Sequence, residues 1–566
     1  MGYLKCIGTV IIYIGLFLAV ITFLPGLPPK TEFEEFSIVL PNLDSKVSPK
    51  NRLNGAQKLF EKELHGPEDL VTYNGQLYTG VHGGYVVRVE EDRIVPIVKF
   101  GQQCDGIWQE KKCGRPLGLH FDKKGNLYVV DTYYGIFKVN VATGEYKNIV
   151  NTSKPIEGKV PRIPNGIDVA ENGDLYWTDS STDFELHDAV PAFLSNPSGR
   201  LIRYNAAKKR NEVLIRNIGF ANGVVLNDDE SYVIVSDMTK HRLLKYNLKG
   251  PKTGQTEIFI EGLLGPIDNL HRDGHGGFFG VLYFAIDPEH PHILASLTPH
   301  PYLRKMLVRL LIVMELPIKL LHDIYPNTYA ERLIHAIGSP QGFEEVFDTK
   351  KRSYVLRIDA SGNIVDSIFA DDDTVGSGFS AACIHNDYLW LGSPQKHYLV
   401  RVPLKQAFPD LANSERQSSE RTKQGAKSTE SKQEKVSSQK STATPTKSTA
   451  APTTSKPTAT TPKPTAAPKP SPTPKVDKSS ETKSTSKSAE IKKESANTVN
   501  HAKPSAKSSS PNAKSENSRT KEDAAKTSTK SEKNVKVEQD TSTKQKTQKS
   551  QPEKVKSETN RPKEEL

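Results

Sequence analysis

Four stretches of this chain place an oxygen-bearing side chain just ahead of an apolar residue that can begin a strand. They read Gly66-Pro67-Glu68-Asp69-Leu70, Ile163-Pro164-Asn165-Gly166-Ile167, Phe220-Ala221-Asn222-Gly223-Val224 and Gly265-Pro266-Ile267-Asp268-Asn269-Leu270. Together Glu68, Asn165, Asn222, Asp268 and Asn269 offer two carboxylates and three amides, with no thiolate or imidazole. That is a donor set for a hard cation, calcium ahead of magnesium. Asn-Gly taken alone is turn chemistry. Its return at one position of a repeat is what points to clustered ligands.

The repeat supplies the means of bringing these residues together. Each stretch is followed by a second strand, such as Gln76 to Thr79, Asn126 to Asp131 or Asp174 to Asp179. A third strand with basic-hydrophobic alternation comes next: Tyr85 to Val89, Gly135 to Val139, Leu201 to Tyr204, Leu243 to Tyr246. Two further copies, opening at Gly114-Arg115-Pro116-Leu117 and Gly378-Phe379-Ser380-Ala381, lack the oxygen. Six repeats of roughly 50 residues predict an all-β fold, a six-bladed β-propeller over residues 54–409. First strands line a propeller's channel, so equivalent positions converge on its axis. Residues 57–64 are expected to close the ring by pairing with blade six, which removes open sheet edges.

The flanks differ from the repeats. Residues 1–5 form a short cytoplasmic start, and 6–24 an apolar run of 19 residues without a charge, long enough to span a bilayer. The run ends in Phe23-Leu24-Pro25 instead of a small-residue cleavage site, which predicts an uncleaved transmembrane signal anchor. Lys5 precedes it and Glu32, Glu34 and Glu35 follow, so the bulk of the chain is expected on the extracellular or lumenal side, as in a type II membrane protein at the cell surface or in endomembranes. Residues 25–53, with five prolines, read as a stalk. Cys104 and Cys113 bracket a short loop and can pair in an oxidising compartment. Asn151-Thr152-Ser153 is an acceptor for N-glycosylation.

Blade five is interrupted by an insert, roughly 286–350, in which Pro301 to Glu315 and Ile318 to Ile337 read as helices. Leu303, Met306, Leu307, Leu310, Leu311 and Met314 form an apolar stripe opposed by Arg304, Lys305 and Arg309. A helical pair packed on the propeller, a cap over the channel and a membrane-facing surface all fit this pattern. Residues 410–566 are rich in Lys, Ser, Thr and Pro, and from 411 on carry no aromatic residue. They are expected to be a disordered, mucin-like tail whose O-glycans could engage lectins. The charge follows the same division. Residues 411–566 hold 33 basic and 18 acidic residues, leaving 44 and 48 for the rest, so the folded part is mildly acidic and no nucleic-acid partner is expected.

From Gly66 to Leu404 the chain resembles the strictosidine synthase-like family. The resemblance is carried by Cys113-Gly114-Arg115-Pro116-Leu117-Gly118, Lys154 to Lys159, Tyr176-Trp177-Thr178-Asp179-Ser180-Ser181 and Gly199-Arg200-Leu201. Within the family it is similar to the adipocyte plasma membrane-associated branch, and the anchored propeller with its Thr/Pro/Lys tail is hemomucin-like. The resemblance implies a six-bladed propeller bordering on calcium-dependent lactonases, with Glu68, Asn165, Asn222, Asp268 and Asn269 at calcium-ligand positions. It also implies departures. A catalytic His of the paraoxonase type falls at Leu117, and the Glu of the plant condensing enzymes falls at Ser380, which speaks against amine condensation.

A calcium-dependent hydrolase of small esters or lactones is the expected activity. The alternative is a noncatalytic surface glycoprotein in which calcium only rigidifies the propeller. A water-activating base is sought near the axis: Glu68, Asp268 and, one strand further out, His82 or His120, with Ser380 a further candidate.

Overall fold

The computed structural model describes residues 2–39, 48–286, 293–339, 352–372 and 374–414. The tail from 415 onward, with its expected O-glycans, lies outside the described residues.

Helix α1 (Gly2–Phe23) opens the chain. Strand β1 (Gln57–Leu59) follows. Blade one comprises β2 (Leu70–Tyr73), β3 (Gln76–Val81), β4 (Tyr85–Val89) and β5 (Ile94–Lys99). Blade two has β6 (Pro116–Phe121), β7 (Leu127–Asp131), β8 (Gly135–Val139) and β9 (Tyr146–Val150). Blade three has β10 (Pro164–Val169), β11 (Leu175–Asp179), β12 (Gly199–Asn205) and β13 (Arg210–Ile218). Blade four has β14 (Ala221–Leu226), β15 (Tyr232–Asp237), β16 (Arg242–Asn247) and β17 (Thr256–Ile260). Blade five has β18 (Ile267–Arg272), β19 (Phe278–Leu282), β20 (Tyr354–Ile358) and β21 (Ile364–Ile368). Blade six combines β22 (Ala381–His385), β23 (Tyr388–Gly392) and β24 (Leu399–Pro403) with β1.

The described residues form six antiparallel four-stranded sheets, blades one to five being meanders. The inner strands β2, β6, β10, β14, β18 and β22 touch their neighbours in a closed ring. Closure is by β1 on β24, with Gln57 opposite Arg401 and Leu59 opposite Leu399. The closing strand is shorter than the expected 57–64, because Phe60 and Lys62 take positive φ and turn the chain away.

Apolar residues of adjacent blades interdigitate. Val130 and Ile136 of blade two, for example, pack with Ile167, Leu175 and Trp177 of blade three. The second strands of blades two to four end in a buried Asp, and these carboxylates accept from backbone N–H groups. Asp131 takes Tyr133 and Tyr134, Asp179 takes Arg162 and Ile163, and Asp237 takes Gly219. Arg200 adds a buried ion pair, with Nη2 2.6 Å from Asp179 Oδ2.

The segment expected as a stalk is not free. Glu34 N donates to Asn196 Oδ1 at 3.1 Å, Phe33 and Phe36 lie against the Arg304 guanidinium, and Leu53 is buried beside blade six. Phe33, Phe36 and Leu53 give this segment apolar surface that is stabilised by docking.

Cys104 and Cys113 form a disulfide across the loop that carries α2 (Glu110–Cys113). A short helix α3 (Ala189–Leu194) lies between β11 and β12. The insert contains α4 (Ile293–Leu297), α5 (Pro301–Ile324) and α6 (Thr328–Gly338). Its break falls later than the sequence reading placed it. α5 runs through Pro317, and the next helix starts where Asn327 Oδ1 accepts from Ala330 N at 2.9 Å. The direction of the α5 stripe, open in the sequence, is set by the structure: Arg304 and Arg309 are buried, Leu303 and Met314 are exposed, and Met306, Leu307, Leu310 and Leu311 are half-buried.

Candidate functional site

The inner strands do not run straight through the ligand positions. Their pairing with the second strand shifts register between Pro116 and Leu119, Pro164 and Ile167, Ala221 and Val224, and Ile267 and Leu270. A bulge of this kind re-aims side chains. Here it spans Asn165, Asn222, Asp268 and Asn269.

The glycines beside these residues have a packing role. Asn165-Gly166 and Asn222-Gly223 lie inside β10 and β14, and neither is a turn. A Cβ on Gly166 would meet Asn222 O at 2.8 Å, and one on Gly223 would meet Asp268 O at 2.5 Å. Each ligand position is thus seated against a glycine of the preceding blade, which lets the inner strands approach closely.

All five expected ligand residues are buried at the channel. Four present an oxygen that has no hydrogen-bond partner: Glu68 Oε2, Asn165 Oδ1, Asn222 Oδ1 and Asp268 Oδ1. Their amide nitrogens are occupied elsewhere. Asn165 donates to Ser180 Oγ at 3.1 Å, and Asn222 to Met238 Sδ at 3.1 Å. These bonds set the amide orientation that leaves the oxygens open. Asn269 differs, since its Nδ2 donates to Glu68 Oε1 at 3.1 Å.

Orphaned buried acceptors are costly, at about 1–3 kcal/mol each. Both carboxylates register that cost. Burial, with the charge of Asp69, pushes Glu68 up to about 7. Burial, with Glu68, raises Asp268 well above the carboxylate range. Among the described residues no three His, Cys, Asp or Glu cluster as a metal site. A cation here would rely on two carboxylates and neutral amide oxygens, an oxygen-only set that fits calcium.

Glu68, Asn165, Asn222 and Asp268 all line a cavity of about 140 Å³. Leu117, Leu186, Phe193, Phe220 and Met238 give it an apolar lining. His82, His187 and His335 reach it from blade one, from the turn before α3, and from α6. The insert therefore caps this end of the channel.

The sequence candidates for a base fall out differently. His82 lines the cavity, but its Nδ1 is 2.8 Å from Glu110 Oε1 and its Nε2 is 3.0 Å from Pro394 O. Burial and the Arg115 charge hold its pKa at about 4, and both ring nitrogens face protein oxygens. His120 is not in this cavity. It faces Asp168 at 3.1 Å in a second space of about 300 Å³, further along the inner strands, with Asp69, His271 and Arg272. Ser380 Oγ donates to Glu68 O at 2.6 Å, tying blade six to blade one.

Sequence reasoning missed His187 and His335. His187 Nε2 is 3.0 Å from Asp188 Oδ2. Burial disfavours its imidazolium, yet Asp188 outweighs that and the pKa is raised. Burial lowers His335. The His-Asp dipeptide at 187–188 was the available signal, while nothing local in the insert marks His335.

A bulged, oxygen-lined channel at the axis of six blades defines a six-bladed β-propeller with a polar central site. Residues 165–251 match the strictosidine synthase family model, and residues 48–89 match the strictosidine synthase-like N-terminal model. The chain is 39% identical over 410 residues to adipocyte plasma membrane-associated protein Hemomucin of Drosophila melanogaster, covering 71% of this chain and 70% of that one. It is 30% identical over 369 residues to adipocyte plasma membrane-associated protein of Salmo salar, covering 64% and 82%. The chain belongs to the adipocyte plasma membrane-associated, strictosidine synthase-like family. Among solved structures, a gluconolactonase from Xanthomonas campestris is similar at 12% identity with a TM-score of 0.39, covering 67% of this chain and 99% of that one.

Proposed function

We propose that this protein is a membrane-anchored, calcium-binding hydrolase of small esters or lactones. One observation carries the reading: four buried oxygens from four blades, none with a hydrogen-bond partner, face one apolar-lined cavity. Glu68, Asn165, Asn222 and Asp268 would hold the ion, with Asn269 bracing Glu68. Bound there, calcium would polarise a carbonyl oxygen as a Lewis acid.

The chain's own groups do the rest. Leu117, Phe193, Phe220 and Met238 take the apolar part of a substrate and exclude water. His187, oriented through Nε2 by Asp188, would accept the proton of an attacking water at Nδ1. His82 and Ser380, locked by their partners, serve as scaffold.

α1 is long and apolar enough to cross a membrane, and the relatives are named as plasma membrane-associated. We place the propeller on the extracellular or lumenal side, with the Cys104–Cys113 disulfide and an exposed Asn151 as supporting features.

The test is hydrolysis of phenyl acetate and a panel of lactones by the full chain in detergent, with calcium and with chelator. Activity that needs calcium and falls about 100-fold or more in His187→Gln supports the reading. Activity absent under both conditions overturns it. A second reading, a noncatalytic surface glycoprotein with structural calcium and lectin-bound tail glycans, is favoured by the departures at Leu117 and Ser380. It predicts calcium-dependent stability without turnover.

A further inference from the structure

Helix α5 turns several charged residues inward and, in its second half, several apolar residues outward. Three of its six Asp, Glu, Lys and Arg residues, Arg304, Arg309 and Glu315, are buried, at 0%, 6% and 2% exposure. Its apolar residues Met314, Leu316, Leu320, Leu321 and Ile324 are exposed, from 49% to 76%. A helix on a water-facing surface carries the opposite pattern, with its apolar stripe inward. An exposed apolar patch of this kind marks a contact surface.

The neighbouring element says what covers it. The Arg309 guanidinium donates to Ile21 O at 3.2 Å, Thr22 O at 2.8 Å, Leu24 O at 2.9 Å and Leu27 O at 3.0 Å. These carbonyls belong to the last turn of α1 and the chain just beyond it, where a helix leaves acceptors without partners. Phe23 meets Tyr302 with ring centroids 5.7 Å apart. α5 is therefore clamped to the exit of the apolar helix, and its exposed face continues that helix's apolar surface. Tyr325 and Tyr329, 70% and 80% exposed, stand at the turn into α6. Tyrosines concentrate at the membrane–water boundary.

We propose that α5 and the start of α6 form a second membrane contact, lying in the interface of the same bilayer that α1 crosses. The occupant of this face is a lipid surface. Because α6 also supplies His335 to the cavity, the insert side of the propeller is held toward the bilayer.

The test uses the full chain in phosphatidylcholine vesicles, with Cys6→Ser so that the exposed cysteine does not label. An environment-sensitive fluorophore is attached through Leu320→Cys and, separately, Asp92→Cys in the turn between β4 and β5. The Leu320 probe is expected to emit at a blue-shifted wavelength and lose at least half its intensity when the acyl chains are brominated, while the Asp92 probe does neither. Aqueous emission at Leu320 overturns the proposal. So does a blue-shifted but unquenched probe whose thiol cross-links between copies, which assigns the face to a second chain. If Leu320→Cys fails to fold, Tyr329→Cys probes the same surface.

Discussion

The Asn269 amide donates to Glu68 Oε1 across 3.1 Å, although 201 residues separate the two. That contact joins blade five to blade one over the channel. It holds one carboxylate oxygen and leaves the other, Oε2, without a partner.

Glu68 therefore makes the ion-free protein sensitive to pH. Its folded pKa, about 7, lies above the ordinary 4.5. The sign follows: the stability this group contributes is full below about 4.5 and is lost as pH rises through about 7. At about 1.4 kcal/mol per unit, the change is on the order of a few kcal/mol. Chelated protein should melt at lower temperature at pH 8 than at pH 5.5. Calcium, which favours the carboxylate, should reverse much of that fall and bind more weakly at pH 5.5. Flat melting curves across this range, with and without calcium, would contradict the assignment.

Gly166→Ala and Gly223→Ala should act on the site through the backbone. Each added methyl meets a carbonyl oxygen of the next blade, at 2.8 Å and 2.5 Å. Overpacking of this sort costs about 1–3 kcal/mol. Denaturant titration should show that loss, and calcium affinity should fall with it, although neither residue offers a ligand. Wild-type stability in both variants would show that the inner strands can separate freely.

The Cys104–Cys113 disulfide closes a short loop, with a sequence separation of 9. A loop of this length predicts a loss of about 2–3 kcal/mol when Cys104→Ser and Cys113→Ser are combined. Because α2 carries Glu110, the partner of His82, amide exchange should rise locally at residues 104–115. Unchanged protection there would separate the bridge from the cavity wall.

Much of this was legible in the sequence, for a definite reason. Asn165, Asn222 and Asp268 recur at one position of a repeat, and a ring of blades turns recurrence into proximity. The Asn-Gly pairs were more ambiguous. Turn propensity is local, whereas the need for Gly166 arises from Asn222 O in another blade. The direction of the α5 stripe stayed open because amphipathicity gives a stripe but not the way it faces. Arg309 finds its partners at the end of α1 and just beyond it, 282 to 288 residues away, and no periodicity records that. His335 was invisible for the same reason, since the insert reaches the cavity only through tertiary packing.

Under the proposed function, Glu68, Asn165, Asn222 and Asp268 hold one calcium ion between them. The most direct measurement is calorimetric titration of calcium into the chelator-treated full chain in detergent, alongside Asp268→Asn and Asn165→Ala. The account predicts one tight site per chain, with affinity at least about tenfold lower in each variant, the equivalent of about 1.4 kcal/mol. No calcium uptake by the wild-type chain, or uptake indifferent to both substitutions, would contradict it.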